Sequence, residues 1–424
     1  MNPNLIRSED GYQDSLSRLR IANYFTTYGV GTKADLERAD GDSGVSSRIY
    51  GDLTYQNLHG TQGSVGVAPF GLGSERGSIR LSVRHPLMKG SGPLSPKSDL
   101  VQVAHSDALI RSKELFIARQ STVLGVVEAY YRAVLARDRV DIQERALAIT
   151  EEAATGARRR AEAGLVAEIE VSRAEIRVAQ TRDQLNLQRQ AARGAIERLM
   201  LTIGTSVDQN PQLTDGIPDM SGDIPTLTEA LTIALHNRTE LSVQDERIAT
   251  QMRKLAIAED QFRPSLDVVA GLNSVNRRSG IISGSFFEAG SFATGVELRL
   301  PIDKRVNLEE RNVAERGVEL LHTLRTYQME EIAEQVRRAY RSVESAQSSL
   351  EILGQNLKVA EENLHLAQRM VDEGLVSNRD VLEAQEALTR VESGLLSARI
   401  DLYLAGVNLL YAMGEDLTVI TGTQ

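Results

Sequence analysis

From residue 306 onward, apolar residues recur every seven positions: Val336, Val343, Leu350, Leu357, Leu364 and Val371, with Ala339, Ala346, Leu353, Ala360 and Ala367 three places further on. These are the a and d positions of a coiled coil, and a period of 3.5 rather than 3.6 residues imposes a left-handed supercoil. After Gly374 the pattern resumes as Val381, Leu388, Leu395, Leu402 and Leu409, with Ala384, Val391, Ala398, Ala405 and Ala412 between them. The spacing predicts two long helices that fold back at Gly374. Residues 306–371 alone make a rod of ~100 Å at ~1.5 Å per residue.

A looser version of the same frame runs earlier, through Val126, Ala133, Val140, Leu147 and Ala154, then Val171, Val178, Leu185 and Leu199. AEAGLVAEIEVSRAE at 161–175 is answered by DEGLVSNRDVLEAQE at 372–386, at an offset of 210 residues. The chain is therefore a duplicated unit. The first copy spans 46–205, with a helical hairpin over 97–205 whose tip lies near Gly164. The second spans 226–414, with a helix over 226–262 and a hairpin over 306–414 whose tip lies near Gly374. A linker rich in Pro, Gly and Asp (206–225) joins them, and 415–424 is a C-terminal tail. Residues 1–45 should hold a helix equivalent to 226–262, but GVGTKADLERADGDSG is Gly-rich and weakly periodic, so this segment stays unassigned.

Before each long helix the period changes to two. In GSIRLSVRHP, Ile79, Leu81 and Val83 alternate with Arg80, Ser82 and Arg84. In SFATGVELRLP, Val296, Leu298 and Leu300 alternate with Glu297 and Arg299. Their expected partners are SRIYGDLTY (48–55) and SLDVVAGLN (265–273), where Asp52 and Asp267 take polar positions. The prediction is four strands, 46–56, 78–86, 265–273 and 291–301, each pair joined by a polar Gly-rich loop (58–77 and 274–290). Two hairpins lying on a soluble core would satisfy this pattern. So would four tilted membrane crossings of ~9–11 residues. Four strands cannot close a barrel, because the smallest transmembrane barrels have about eight, so several chains would have to build it.

Composition narrows the choice. With 48 Lys and Arg against 58 Asp and Glu, the net charge of −10 argues against a nucleic-acid binder. The absence of Cys excludes disulfides, thiolate catalysis and thiolate metal sites. No apolar run approaches ~18 residues, so any membrane crossing must use strands. The N-terminus, MNPNLIRSEDGYQDSLSRLR, shows neither a basic start nor an apolar stretch of the secretory kind. The chain either stays inside or is a mature or truncated form. The six His (59, 85, 105, 236, 322 and 365) lack metal-binding spacing, and GLGSERG (71–77) and KGSGP (89–93) lack the spacing of phosphate loops. No cofactor, metal or catalytic constellation is expected.

The combination of a duplicated strand-strand-long-helix unit, AY on each ascending helix, GLV at the tip, DVLEA after the second tip and LLYAMG at the end of the descending helix resembles the TolC-like outer-membrane efflux proteins over residues 46–414. The resemblance implies a mainly α fold with β: a homotrimer whose protomers each give four strands to one 12-stranded outer-membrane barrel, continued by a periplasmic α-helical barrel. It also implies a passive, non-enzymatic exit duct for small molecules or secreted polypeptides. Its partners would be outer-membrane lipid, a periplasmic adaptor and an inner-membrane transporter. Carrying the family's pattern over puts the periplasmic aperture at Asp380 and Glu383, with Arg379 beside them and Glu168 and Glu170 in the first copy. The adaptor would dock at the tips Gly164, Leu165 and Val166 and Gly374, Leu375 and Val376. Arg80, Arg84, Glu297 and Arg299 would face the barrel lumen. Carboxylates crowded by threefold symmetry are expected to titrate high. The competing reading is a soluble coiled-coil scaffold or adaptor protein, for which the heptads and acidic charge also suffice; the alternating strands separate the two.

Overall fold

The computed structural model describes residues 2–24, 26–39, 42–68, 71–72, 77–207, 211–213, 216, 224–276, 290–373 and 375–418. Two very long helices dominate it: α2 (Pro96–Glu162, 67 residues) and α6 (Arg305–Asp372, 68 residues). Each is followed by a return helix about half as long, α3 (Glu168–Ile203) and α7 (Asn378–Ala412). Before α2 lies α1 (Pro3–Asn23), and between α3 and α6 lie α4 (Leu227–Asn237) and α5 (Thr239–Asp260). The chain divides into a helical unit (Met1–Glu9, Leu115–Leu241 and Tyr327–Gln424) and a unit holding the sheet (Asp10–Glu114 and Ser242–Thr326).

In the helical unit the core is built from heptad positions, some fully and some half-buried. Ile332, Val336 and Val343 of α6 pack with Ala405, Leu409 and Ala412 of α7, and Ala230 and Ala234 of α4 lie fully buried against them. Alanine at these positions lets the helix backbones come close, so the core is a narrow seam with little volume to fill. Further along, Ala360 and Leu364 meet Val381 and Leu388. The α7 helix is apolar enough on average to pass for a membrane span, but its Ile400, Leu404, Val407 and Leu409 are buried inside this unit. At the end of LLYAMG, Gly414 has φ +78°, and a Cβ there would sit 3.1 Å from the Arg238 nitrogen.

The expected helix over 226–262 breaks at Arg238, whose ψ of 113° is extended. Its buried guanidinium donates to the Tyr411 carbonyl (3.2 Å) and to Gln335 Oε1 (2.8 Å), and pairs with Glu240 (3.0 Å). A charge can be buried only with such partners, and turning it inward takes the backbone out of the helix. Hydrophobic periodicity does not register that exchange. The tail is partly ordered: Leu417 is buried, and its N–H donates to Gln120 Oε1 at 2.9 Å.

The sheet departs from the expected four strands. It contains β1 (Thr26–Ala39), β2 (Asp42–Gln56), β3 (Gln62–Ala68), β4 (Gly71–Leu72), β5 (Gly77–Pro86), β6 (Ser265–Asn276) and β7 (Gly290–Arg299). The order is β1-β2-β3-β5-β6-β7, antiparallel throughout, with β4 adding two pairs to β2. Two corrections follow. The unassigned segment 1–45 holds a helix and a full strand, and β3 lies inside the expected loop 58–77, so β2 and β5 are not direct partners. Both strands escape a hydrophobicity pattern because glycine and serine occupy many of their positions, as in QGSVGVA. The two copies of the repeat meet through β5 and β6.

The strand ends are bound tightly to the start of α2. The β2–β3 turn reverses at Gly60 (φ +89°), where a Cβ would lie 2.7 Å from the Gly90 carbonyl and 2.8 Å from the Pro86 ring, so only glycine fits. Ser95 Oγ donates to the Leu58 carbonyl (2.7 Å), and the Gly90 N–H donates to the Asp260 carboxylate (2.7 Å).

Candidate functional site

The sheet has two chemically different faces. Register rows carry Leu53–Val65–Leu81–Leu272–Phe292 and, nearer the helices, Val268–Val296 and Leu266–Leu298. Phe292 is 71% exposed, Val296 67% and Leu298 58%. A contiguous apolar face of this kind is rare on a soluble monomer and marks contact with lipid or protein. The alternate rows carry Asp52, Gln62, Ser64, Arg80, Ser82, Arg84, Asp267, Asn273, Glu297 and Arg299.

On that polar face the structure brings Arg84, Glu297 and Arg299 into one network and adds a residue absent from the expected set. Arg84 donates to Asp267 Oδ2 and pairs with Glu297 Oε2, both at 3.0 Å, and Arg299 pairs with Glu297. Asp267, buried and directly opposite Glu297 in the register, is the missed member. Its signal was its polar place in the alternation of SLDVV. Arg80 lies in the Gly66–Asn273 row, on the same face.

The tips are built differently from one another. At the first, Gly164 takes φ +74°, and its N–H and that of Leu165 donate to the carbonyls of Ala161 and Arg160 (both 2.9 Å), which ends α2 with a left-handed glycine. Leu165 is 73% exposed and Val166 half-buried. At the second, Gly374 lies outside the described residues. There the Leu375 N–H donates to the Met370 carbonyl (2.8 Å), Leu375 is 66% exposed and Val376 half-buried.

The acidic box after the second tip is not a pair of free carboxylates. The backbone N–H and the hydroxyl of Ser377 both donate to Asp380 Oδ2, at 2.8 and 2.7 Å, so Asp380 caps the first turn of α7. These bonds, that from the hydroxyl first, hold its carboxyl below the usual carboxylate range. Glu383 accepts from Arg379 Nε at 2.8 Å, and that bond raises the Arg379 pKa. S-x-x-D was visible in the sequence as the signature of this cap. In the first copy Ala167 stands where Ser377 stands and offers no side-chain cap. Glu170 there pairs instead with Arg173 (2.7 Å), and Glu168 is exposed in the same first turn.

The sequence pattern of the family described as outer membrane efflux protein matches residues 51–205 and 230–415. The chain belongs to this family. No individually curated sequence matches it significantly. Three solved structures are similar in fold: CusC (16% identity, 98% of this chain and 90% of that one, TM-score 0.75), CmeC of Campylobacter jejuni (14%, 100% and 86%, 0.73) and VceC of Vibrio cholerae (16%, 98% and 93%, 0.73). CmeC is described as an outer membrane channel and VceC as an outer membrane protein. As an outer membrane efflux protein, this chain is a helix-rich transport protein of the outer membrane with a small sheet, of the TolC type, and not an enzyme. Efflux channels act by conduction, which suits a polar sheet face lined with ion pairs.

Proposed function

We propose that three copies of this outer membrane efflux protein close a single barrel in the outer membrane. Helical hairpins then lead from it into the periplasm, and the assembly is a passive exit duct coupled through a periplasmic adaptor to an inner-membrane transporter. The observation that carries the reading is the sheet: one face apolar and exposed, the other polar, with edge strands β1 and β7 each paired on one side only. In lipid an open edge leaves backbone groups without partners, so the edges must pair with other chains. The network of Arg84, Asp267, Glu297 and Arg299, with Arg80, then lines the lumen.

The tips are the adaptor contact. Leu165 and Leu375 are exposed leucines at helical turns whose backbone is already satisfied, so no fold requirement holds them there. The aperture is the ring of first turns bearing Arg379, Asp380, Glu383, Glu168 and Glu170. Light scattering of the detergent-purified protein should give a trimer; a detergent-free soluble monomer with native helix content would refute the barrel. Leu165→Asp with Leu375→Asp should abolish export while leaving the trimer intact. In planar bilayers the pore should prefer cations, and Asp380→Ala with Glu383→Ala should weaken that preference.

A further inference from the structure

We infer that the junction between β7 and α6 is a lipid-anchoring site, in which Ile302 enters the acyl chains of the periplasmic leaflet and Lys304 binds the phosphate of an anionic phospholipid. This rests on the barrel reading above and concerns how its wall ends at the membrane surface.

The junction continues the apolar face of the sheet beyond the paired strands. The Leu87 N–H donates to the Leu266 carbonyl at 2.7 Å, which adds one apolar row, Leu87–Leu266–Leu298, at the helix-side end. From there the chain leaves the sheet, and the alternation of Val296, Leu298 and Leu300 runs on through Pro301 to Ile302. Ile302 is 96% exposed, so its own chain gives it almost no contact, and Leu300 is exposed as well. No packing within the chain requires an isoleucine there, and an apolar side chain left in water gains by leaving it. Four residues beyond Leu298, at ~3.3 Å per residue and a tilt of ~40°, put Ile302 about 10 Å nearer the periplasm. With Leu298 near the middle of a ~30 Å hydrocarbon layer, that is still acyl-chain depth, and Lys304, two residues on, reaches the headgroups.

The charges of the junction are sorted for this role. The Arg305 N–H and Nε donate to Asp303 Oδ1, both at 3.1 Å, and its Nη2 donates to Oδ2 at 2.8 Å, so these two charges cancel at the start of α6. Lys304 is exposed and has no ion pair among the described residues, which leaves one net positive charge directly after the apolar pair. The cations of the polar face are a separate set: Arg84, Lys89 and Arg299 line a cavity that includes neither Ile302 nor Lys304. Apolar anchors followed by a flexible ammonium sit at a lipid surface with the anchor inward and the cation at the phosphates. An anionic headgroup suits this one better than a zwitterionic one, because Asp303, the carboxylate of the segment, is already paired and cannot meet a headgroup amine.

The chain has no Trp, so a single introduced one reports its own surroundings. Ile302→Trp, Leu300→Trp and, on the sheet, Val296→Trp are reconstituted separately in vesicles of phosphatidylethanolamine and phosphatidylglycerol, with bromine on the acyl chains of one lipid or the other. The fluorescence of Ile302→Trp should be quenched by brominated acyl chains and spared by aqueous iodide. Brominated phosphatidylglycerol should quench it as if enriched about fivefold over its share of the vesicle, the effect expected of one lysine at an anionic lipid surface. Adding Lys304→Gln should remove that preference. Quenching by iodide alone, or by neither agent, would overturn the anchor, the second outcome meaning that a neighbouring chain covers the site. A preference that survives Lys304→Gln, or none to begin with, would overturn the headgroup site. Val296→Trp separates this inference from the barrel reading: left bright by lipid bromine, it refutes the barrel itself, whereas its quenching beside an unquenched Ile302→Trp refutes the anchor alone. Leu300→Trp, read by the same outcomes, decides the matter should Ile302→Trp fail to fold.

Discussion

In the second copy of the repeat, Val336, Val343, Leu364, Val381, Leu388, Leu395 and Leu409 of the heptad are buried, while Leu350, Leu357, Val371 and Leu402 are half-buried. In the first copy, Val126, Val140, Leu147, Val171 and Val178 of the matching frame are only half-buried, although Leu185 and Leu199 are fully enclosed. The strands are distributed in the opposite sense, with five segments before α2 and two before α6. Even the return helices start differently, α7 behind a capped Ser377 and α3 behind an uncapped Ala167. Duplication gave both copies the same frame. Helix packing then concentrated in one and sheet construction in the other.

The largest break in this comparison should come from the seam. Ile332 is fully buried in the second copy, and its counterpart 210 residues earlier is the half-buried Thr122. Ile332→Ala should lower stability by about 2–5 kcal/mol, and Thr122→Ala should stay within ~0.5 kcal/mol. Equal losses in the thermal denaturation of the purified protein would mean that the first copy packs as tightly as the second.

In the sheet, by contrast, the copies should behave alike. If the proposed trimeric barrel stands, Leu81→Arg on β5 and Leu298→Arg on β7 should each cost about 2–4 kcal/mol near the bilayer midplane, read as the yield of assembled protein in outer membranes. Arg299→Ala, on the polar face, should leave assembly nearly unchanged. Tolerance of arginine on β5 alone would show that the first copy's strands do not meet lipid.

The tips offer a smaller and more selective test. Ala167→Ser places a serine three residues before Glu170 and so recreates the S-x-x-E capping pattern in the first copy. It should stabilise by about 1 kcal/mol. No gain in melting temperature would mean that the first tip is held by other contacts.

The smallest effect is the pH dependence of the second tip. Because the Ser377 bonds depress the Asp380 pKa in the folded state, their contribution is complete above the unfolded value of ~3.9 and is lost as pH falls through the folded one. The difference in melting temperature between wild type and Asp380→Asn should therefore shrink as pH is lowered from 6 to 3. A difference that grows with acidity would contradict the cap.

Much of this architecture was readable from residue spacing because long helices and alternating strands expose their periods directly. The heptad positions became the seam, and Leu81, Val296 and Leu298 share one face as their alternation required. What stayed hidden depended on residues whose local choice carries no hydrophobic signal. Val65 and Val67 are the main apolar residues of β3, and β1 keeps its alternation partly with Gly29 and Gly31. The break at Arg238 comes from tertiary partners, Gln335 and Tyr411, that lie far away in sequence. Asp380 was read for its charge, and its hydrogen bonds to Ser377 add a helix cap that the charge alone did not indicate.

The pairing of β5 with β6 also sets an order in time. Leu81 lies opposite Leu272 in the register, about 190 residues further along the chain. Contacts of such separation form slowly, because the intervening segment must be made and brought back before they can form. Until residues 265–276 have been synthesised and delivered, one edge of β5 has no partner, and the apolar row through Leu81 and Val83 is open to other unfinished chains. The first copy therefore has to be kept apart from its like while it waits for the second, so chaperone capacity during export should limit how much of this protein a cell can assemble.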